Sequence, residues 1–229
     1  MTVQDILDWL AKTGTPEVVA GMARFGIPND HAFGIAMGAL KTKAKAIGTD
    51  HALALALWET GFYEARLLAA EIAEPGMLSE TTMDDWCADF DNWAICDHTC
   101  FTLFDKTPYA WDKVDQWAGR GEEFVRRAAY ALIWALSVHD KKAADAVFEE
   151  ALVLIEAAPP DDRPLVKKAV DMALRAIGKR NPALNAAARR TCARLMAKPE
   201  KSLQWIGRHA LKELESDKVQ AQLERRAKR

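Results

Sequence analysis

No apolar run in this sequence approaches the length needed to cross a bilayer. The opening Met1-Thr2-Val3-Gln4-Asp5 lacks the basic start and apolar stretch of a secretion signal, so a cytoplasmic protein is expected. Cysteine is scarce, with only Cys87, Cys96, Cys100 and Cys192. Cys96 and Cys100 are spaced to share a helix face, but no CxxC pair or histidine cluster accompanies them. That argues against a zinc site and for reduced, buried thiols. His51, His98 and His139 are scattered and suggest no catalytic role. No Val/Ile/Thr-rich alternating run is long enough for a strand. A Gly-rich phosphate loop and a GxSxG elbow are both missing, which argues against nucleotide hydrolases and α/β-hydrolases. Neither a cofactor nor a metal is expected.

What the chain does have is helix-forming sequence. Half of its 229 residues are hydrophobic and 28% are charged, ordinary values for a globular protein. Apolar residues recur at i, i+3, i+4 and i+7, and Ala, Leu, Glu, Lys and Arg dominate. The pattern predicts helices over Val3–Lys12, Pro16–Phe25, a stretch through Lys41–Ile47 ending at Gly48, one started by Thr49 or Asp50 and running through Trp58, Phe62–Ile72, and from Ser79 through Cys87. Further helices follow through Trp93–Phe104, Thr107–Trp117, Glu122–Ser137, Lys141–Ala157, Pro164–Gly178, Pro182–Ala197 and Lys201–Leu214. A last one, from Asp217 to the end, is charged and terminal and is expected to fray. No such helix pair buries its apolar face alone, whereas stacked antiparallel pairs do. The expectation is an all-α, HEAT-like or armadillo-type α-solenoid forming one domain over residues 1–229, C-shaped with a concave face. An irregular helical bundle is the alternative.

The net charge of −2 conceals an asymmetry. Residues 1–162 carry 13 Lys+Arg against 27 Asp+Glu, a net −14, and residues 163–229 carry 18 against 6, a net +12. A basic third of a chain suggests an anionic partner, nucleic acid first. The competing reading is a solvated surface that balances the acidic part internally. Seven tryptophans, Trp9, Trp58, Trp86, Trp111, Trp117, Trp134 and Trp205, read as core at helical spacing. The eighth, Trp93, stands four residues before Asp97, so a helix places an indole beside a carboxylate on one face. Such a surface suits a flat cation, or positive charge developing on a sugar. On spacing alone, a core tryptophan and a hydrogen-bonded buried acid are the favoured reading.

Several segments resemble the bacterial DNA alkylation repair family, the AlkD-type HEAT-like-repeat DNA glycosylases. They include Lys43-Ala44-Lys45-Ala46-Ile47-Gly48-Thr49-Asp50-His51, Leu57-Trp58-Glu59-Thr60-Gly61, Glu64-Ala65-Arg66-Leu67-Leu68-Ala69, and the stretch Asp89 to Asp97. Phe124-Val125-Arg126-Arg127-Ala128 and the run from Lys167 to Pro182 complete the set. They occur in the family's order from about residue 20 to 215. The resemblance implies a monomer that binds duplex DNA containing alkylated bases, with no membrane or metal partner. It implies excision of cationic purines such as 3-methyladenine and 7-methylguanine by hydrolysis of the N-glycosidic bond. The family's catalytic aspartate matches Asp97, its site tryptophan Trp93 and its site arginine Arg127, while an aromatic before the Gly-Ile turn matches Phe25. Lys43, Lys45, Arg126, Lys168, Arg175, Lys179 and Arg180 become candidate DNA contacts because they lie in matched basic segments. One position departs from the pattern: Met172 stands where the family usually has tryptophan, and a thioether lacks the π-face that attracts a cation. Two alternatives therefore stand beside the glycosylase, a non-catalytic relative that reads damaged or branched DNA by shape and a protein–protein scaffold.

Overall fold

A computed structural model describes residues 1–227, which contain helix and turn but no strand. The described helices are α1 (Val3–Thr13), α2 (Pro16–Met22), α3 (Met37–Ile47), α4 (His51–Trp58), α5 (Tyr63–Ile72), α6 (Glu80–Ala88), α7 (Trp93–Thr102), α8 (Ala110–Ala118), α9 (Glu123–His139), α10 (Asp145–Ala157), α11 (Pro164–Gly178), α12 (Pro182–Met196), α13 (Lys201–Leu214) and α14 (Asp217–Ala227). None is long and apolar enough to cross a membrane. The architecture is the HEAT-like arrangement of stacked helix pairs expected from the lengths of the elements.

The helix ends follow from local chemistry. Thr2 and Asp5 close a capping box on α1, Asp50 accepts the Leu53 N–H at 3.0 Å, and Asn181 accepts the Leu184 N–H at 2.8 Å. Pro16, Pro164 and Pro182 occupy first-turn positions, where a missing N–H costs nothing. Two starts fall later than the pattern predicts. Thr107 donates its hydroxyl to the Phe104 carbonyl at 2.8 Å and stays in a turn, so α8 begins at Ala110. The Asp140 carboxylate accepts the N–H groups of Lys142 and Ala143 at 3.2 and 2.9 Å, which delays α10 to Asp145. The C-terminal helix α14 buries Val219 and Leu223 and docks on α12 and α13. Residues 228 and 229 lie outside the described part.

The chain divides into two compact units, Met1–Ala110 and the part from Trp111 onward. The first is organised around α5, whose Glu64, Ala65, Leu67, Leu68, Ala69, Ala70 and Ile72 are all buried, and α1, α3, α4 and α7 pack on it. A helix apolar on nearly every side belongs in a core. Beside it, Trp58 and Trp86 stack with centroids 3.9 Å apart. The Trp58 indole donates to the Asp89 carboxylate at 2.9 Å, and Arg66 donates to the Asp89 carbonyl at 3.0 Å. The segment before α3 is held from below by Glu64, which is 0% exposed. Its carboxylate accepts the N–H groups of Phe33, Gly34 and Ile35 at 2.9, 2.7 and 3.2 Å. Gly34 has φ +81, and a Cβ there would meet the Thr15 carbonyl oxygen at 2.2 Å, so only glycine fits.

The second unit repeats the plan with α9 at its centre. Ala128, Ala129, Tyr130, Ala131, Leu132, Ile133 and Ala135 are all 0% exposed, and α11 lies along this helix. Small alanines permit the close approach. Helices α12 and α13 cross tightly at Gly207, where a Cβ would meet the Cys192 carbonyl oxygen at 2.6 Å.

Candidate functional site

Helix α7 starts cleanly because Asn92, itself buried, accepts the N–H groups of Ala94 and Ile95, each at 3.0 Å. Ile95, Cys96, Thr99 and Cys100 turn inward. Trp93 and Asp97 are left one above the other on the half-exposed side. The indole is oriented rather than loose, since its Nε1 donates to the Phe25 carbonyl at 2.9 Å. That bond joins α7 to the 3₁₀ turn Ala23–Phe25, where Gly26 reverses the chain at φ +67. The Phe25 ring is 59% exposed and lies under the Arg24 guanidinium at 5.1 Å. The Phe25 backbone and the Trp93 indole are thereby joined, with Asp97 one helical turn beyond Trp93. Burial, with lesser help from Cys96, Cys87 and Asp97, holds the Cys100 thiol well above its ordinary pKa, so it is no nucleophile. No group of metal-ligating side chains occurs among the described residues.

Within the second unit, Arg127 is 5% exposed and donates Nη1 to the Leu165 carbonyl at 2.6 Å. Its neighbour Arg126 donates to the Arg120 carbonyl at 2.6 Å and to Asp161 at 2.9 Å, tying the turn before α9 to the linker before α11. The other candidate cations divide by environment. Lys45 and Lys168 are exposed, and Lys43 lies over the Trp9 ring at 5.1 Å. Arg175 donates to Asp171 at 2.9 Å and to Glu213 at 2.5 Å, and Lys179 pairs with the same glutamate. Arg180 donates to the Ser137 carbonyl at 2.8 Å and covers the Phe148 ring at 3.8 Å.

The family model for DNA alkylation repair enzymes matches residues 6–214. The chain belongs to the DNA alkylation repair enzyme family. A solved structure described as "a new family of proteins related to the HEAT-like repeat DNA glycosylases with affinity for branched DNA structures" superposes with a TM-score of 0.79. Identity is 21%, and the match covers 97% of this chain and 96% of that one. At that identity the likeness establishes the fold. No curated protein matches the chain.

In this DNA alkylation repair family member, Met172 stands half-exposed on α11 and lines a cavity of about 240 Å³ within the second unit. Trp134 lines the same cavity. It reads as core by spacing and is in fact half-buried. The signal that could have found it is its place two helical turns beyond Arg127, on the same side of α9. Lys141, Gln222 and Arg226 also line the cavity and carry no motif at all.

Proposed function

We propose that this family member is a DNA repair glycosylase that removes cationic alkylated purines, such as 3-methyladenine and 7-methylguanine, from duplex DNA. The observation that carries the reading is the Trp93–Asp97 pair, an oriented indole and a carboxylate side by side on the half-exposed side of α7. Alkylation at N3 or N7 makes the purine cationic and weakens its bond to the sugar. As that bond breaks, its electron pair goes to the purine, which leaves neutral, and positive charge appears on the deoxyribose. Asp97 in its charged form stabilises that charge and holds the water whose oxygen attacks C1′. Trp93 packs against the sugar or the cationic base. Arg127, anchored at the Leu165 carbonyl, is the arginine assigned to a backbone phosphate. Such catalysis requires no cofactor.

Release of free methylated base from alkylated duplex DNA tests the proposal. Wild type should release base well above the spontaneous rate, and Asp97→Asn should lower release by about 100-fold, the scale of losing one electrostatic stabiliser. Release at the spontaneous rate by wild type would refute it.

A second reading has its own support. Met172 takes the place of the family's tryptophan, and the superposed structure belongs to proteins with affinity for branched DNA. On that reading the chain binds damaged or branched DNA without cutting it. Salt-sensitive binding with no base release would select it. A protein–protein scaffold would bind no DNA even at low ionic strength.

A further inference from the structure

The second unit contains a recess whose lining residues all lie outside the helix that carries Asp97. Its cavity of about 240 Å³ continues into another of about 340 Å³, and Ser137, Lys141, Arg180 and Arg226 line both. Trp134, Val138, Met172 and Ala176 form its apolar lining, and Lys141, Arg175, Lys179, Arg180 and Arg226 its cationic wall.

The cations of that wall are not equally engaged. Asp171 and Glu213 hold Arg175, and Glu213 holds Lys179. Arg180 faces the carbonyls at the end of α9, with Asp140 and Asp145 nearby. Arg226 donates to the Lys179 and Arg180 carbonyls at the end of α11, the second at 3.1 Å. Among the described residues, no carboxylate pairs with Lys141 or Arg226. Burial, then Arg226 and Arg180, push the Lys141 amine below its ordinary pKa. Lys141, Arg180 and Arg226 thus outnumber the one carboxylate that lines the recess, Asp145, which accepts from Asn181 at 2.9 and 3.0 Å.

From this juxtaposition of the Lys141–Arg180–Arg226 cluster with the Trp134–Met172 wall, we infer that the recess is a docking site for one unpaired nucleotide of a DNA strand. The phosphate lies against Lys141 and Arg226, and the base lies against the Trp134 indole. A base offers a π-face whatever its identity, so stacking is tolerant of sequence, and the cations supply the attraction to the backbone. Gln222 at the rim offers an amide to the base edge. The inference rests on the DNA-binding reading above but concerns a different part of the chain from Asp97.

Fluorescence anisotropy of the full chain tests it with three labelled probes: a short thymidine single strand, a blunt duplex, and that duplex carrying a single-stranded overhang. The expected result is that wild type prefers the overhang to the blunt duplex. Lys141→Glu and Trp134→Leu should each weaken the single strand and the overhang about tenfold, while blunt-duplex affinity changes less than about threefold. Lys141 is exposed, so its variant should keep the wild-type melting temperature and remain informative if Trp134→Leu folds poorly. Equal losses on all probes would make these residues ordinary duplex contacts, overturning the inference and leaving DNA binding intact. Single-strand binding without duplex binding would support the recess and refute the duplex glycosylase. No single-strand binding would overturn the inference, as would equally effective competition by free thymidine monophosphate.

Discussion

Glu64→Ala removes one carboxylate and strands three backbone N–H groups, those of Phe33, Gly34 and Ile35. Glu64 is 0% exposed, so water does not reach them without the segment opening. A hydrogen bond to a charged group is worth about 1.5–3 kcal/mol, and an unmet buried donor costs about 1–3 kcal/mol. The three bonds share one side chain and do not add in full, and relief of carboxylate burial works the other way. The expected loss is about 4 kcal/mol, or a fall of about 10 °C in melting temperature for a chain of this size. Glu64→Gln separates charge from geometry. Its amide oxygen can replace Oε1, which serves Gly34 and Ile35, but its NH₂ must then face the Phe33 N–H, donor against donor. That variant should lose about 2 kcal/mol. Urea unfolding followed by circular dichroism gives both values, provided the transition is two-state. The effect should extend to the candidate site, because the anchored segment follows the turn whose Phe25 carbonyl holds the Trp93 indole. A Glu64→Ala loss below about 1 kcal/mol would refute the reasoning, since three charged bonds would then be worth less than one neutral one.

Asp161 supplies a pH test. Its carboxyl is held below the ordinary 3.8 chiefly by hydrogen bonds from Arg163, against an opposing effect of burial, with Arg126 adding attraction. A depressed carboxyl stabilises the fold above its unfolded pKa and loses that contribution as pH falls through the folded value. Asp161→Asn should therefore cost about 1–2 kcal/mol at neutral pH, and the gap from wild type should close as unfolding is measured below 3.8. Gly207→Ala should cost more than about 2 kcal/mol, because its Cβ meets a backbone oxygen at 2.6 Å that no rotamer change relieves. Thermal melting checks this. Met172→Trp should raise release of cationic bases about tenfold, the kinetic equivalent of about 1–2 kcal/mol of cation–π attraction. Unchanged release would separate that position from the chemistry.

The helices were legible because their ends carry short-range chemistry. Pro164, Pro182, Asp50 and Ser79 each mark a start that the structure keeps, and Gly48 marks an end. The misplaced starts at Thr107 and Lys141 share a cause. In each case a side chain, Thr107 or Asp140, bonds the backbone of a turn and delays the helix. The fourfold spacing of Trp93 and Asp97 was equally local, so their common side of α7 could be read directly. The Phe25 carbonyl that orients the indole lies 68 residues away in sequence, and no periodicity reports such a partner. Glu64 reads as an ordinary charged residue in a helix, and only the packed structure shows that it supports a loop. Trp134 was assigned to the core because spacing reports which side of a helix a residue occupies but not whether a neighbour covers it.

Charge was the property least legible from composition, because a sum over residues ignores pairing. The basic segment from residue 163 has a surplus of cations, yet Asp161, Glu156, Asp171, Glu213 and Glu215 hold Arg163, Arg194, Arg175, Lys179 and Arg189 in ion pairs. Ions already paired within the fold attract a phosphate less, since binding must first break or share the pair. Anion affinity is therefore set by where pairing stops. In the second unit Lys141 is one of the cations with no carboxylate partner among the described residues, and it lies outside the basic segment, in the acidic part of the chain. The acidic part thus contributes a cation to the recess lined by Arg180 and Arg226, while several arginines of the basic part are held within the fold. The pairing of individual cations such as Lys141 and Arg226 is consequently a better guide to where an anion could bind than the net +12 of residues 163–229.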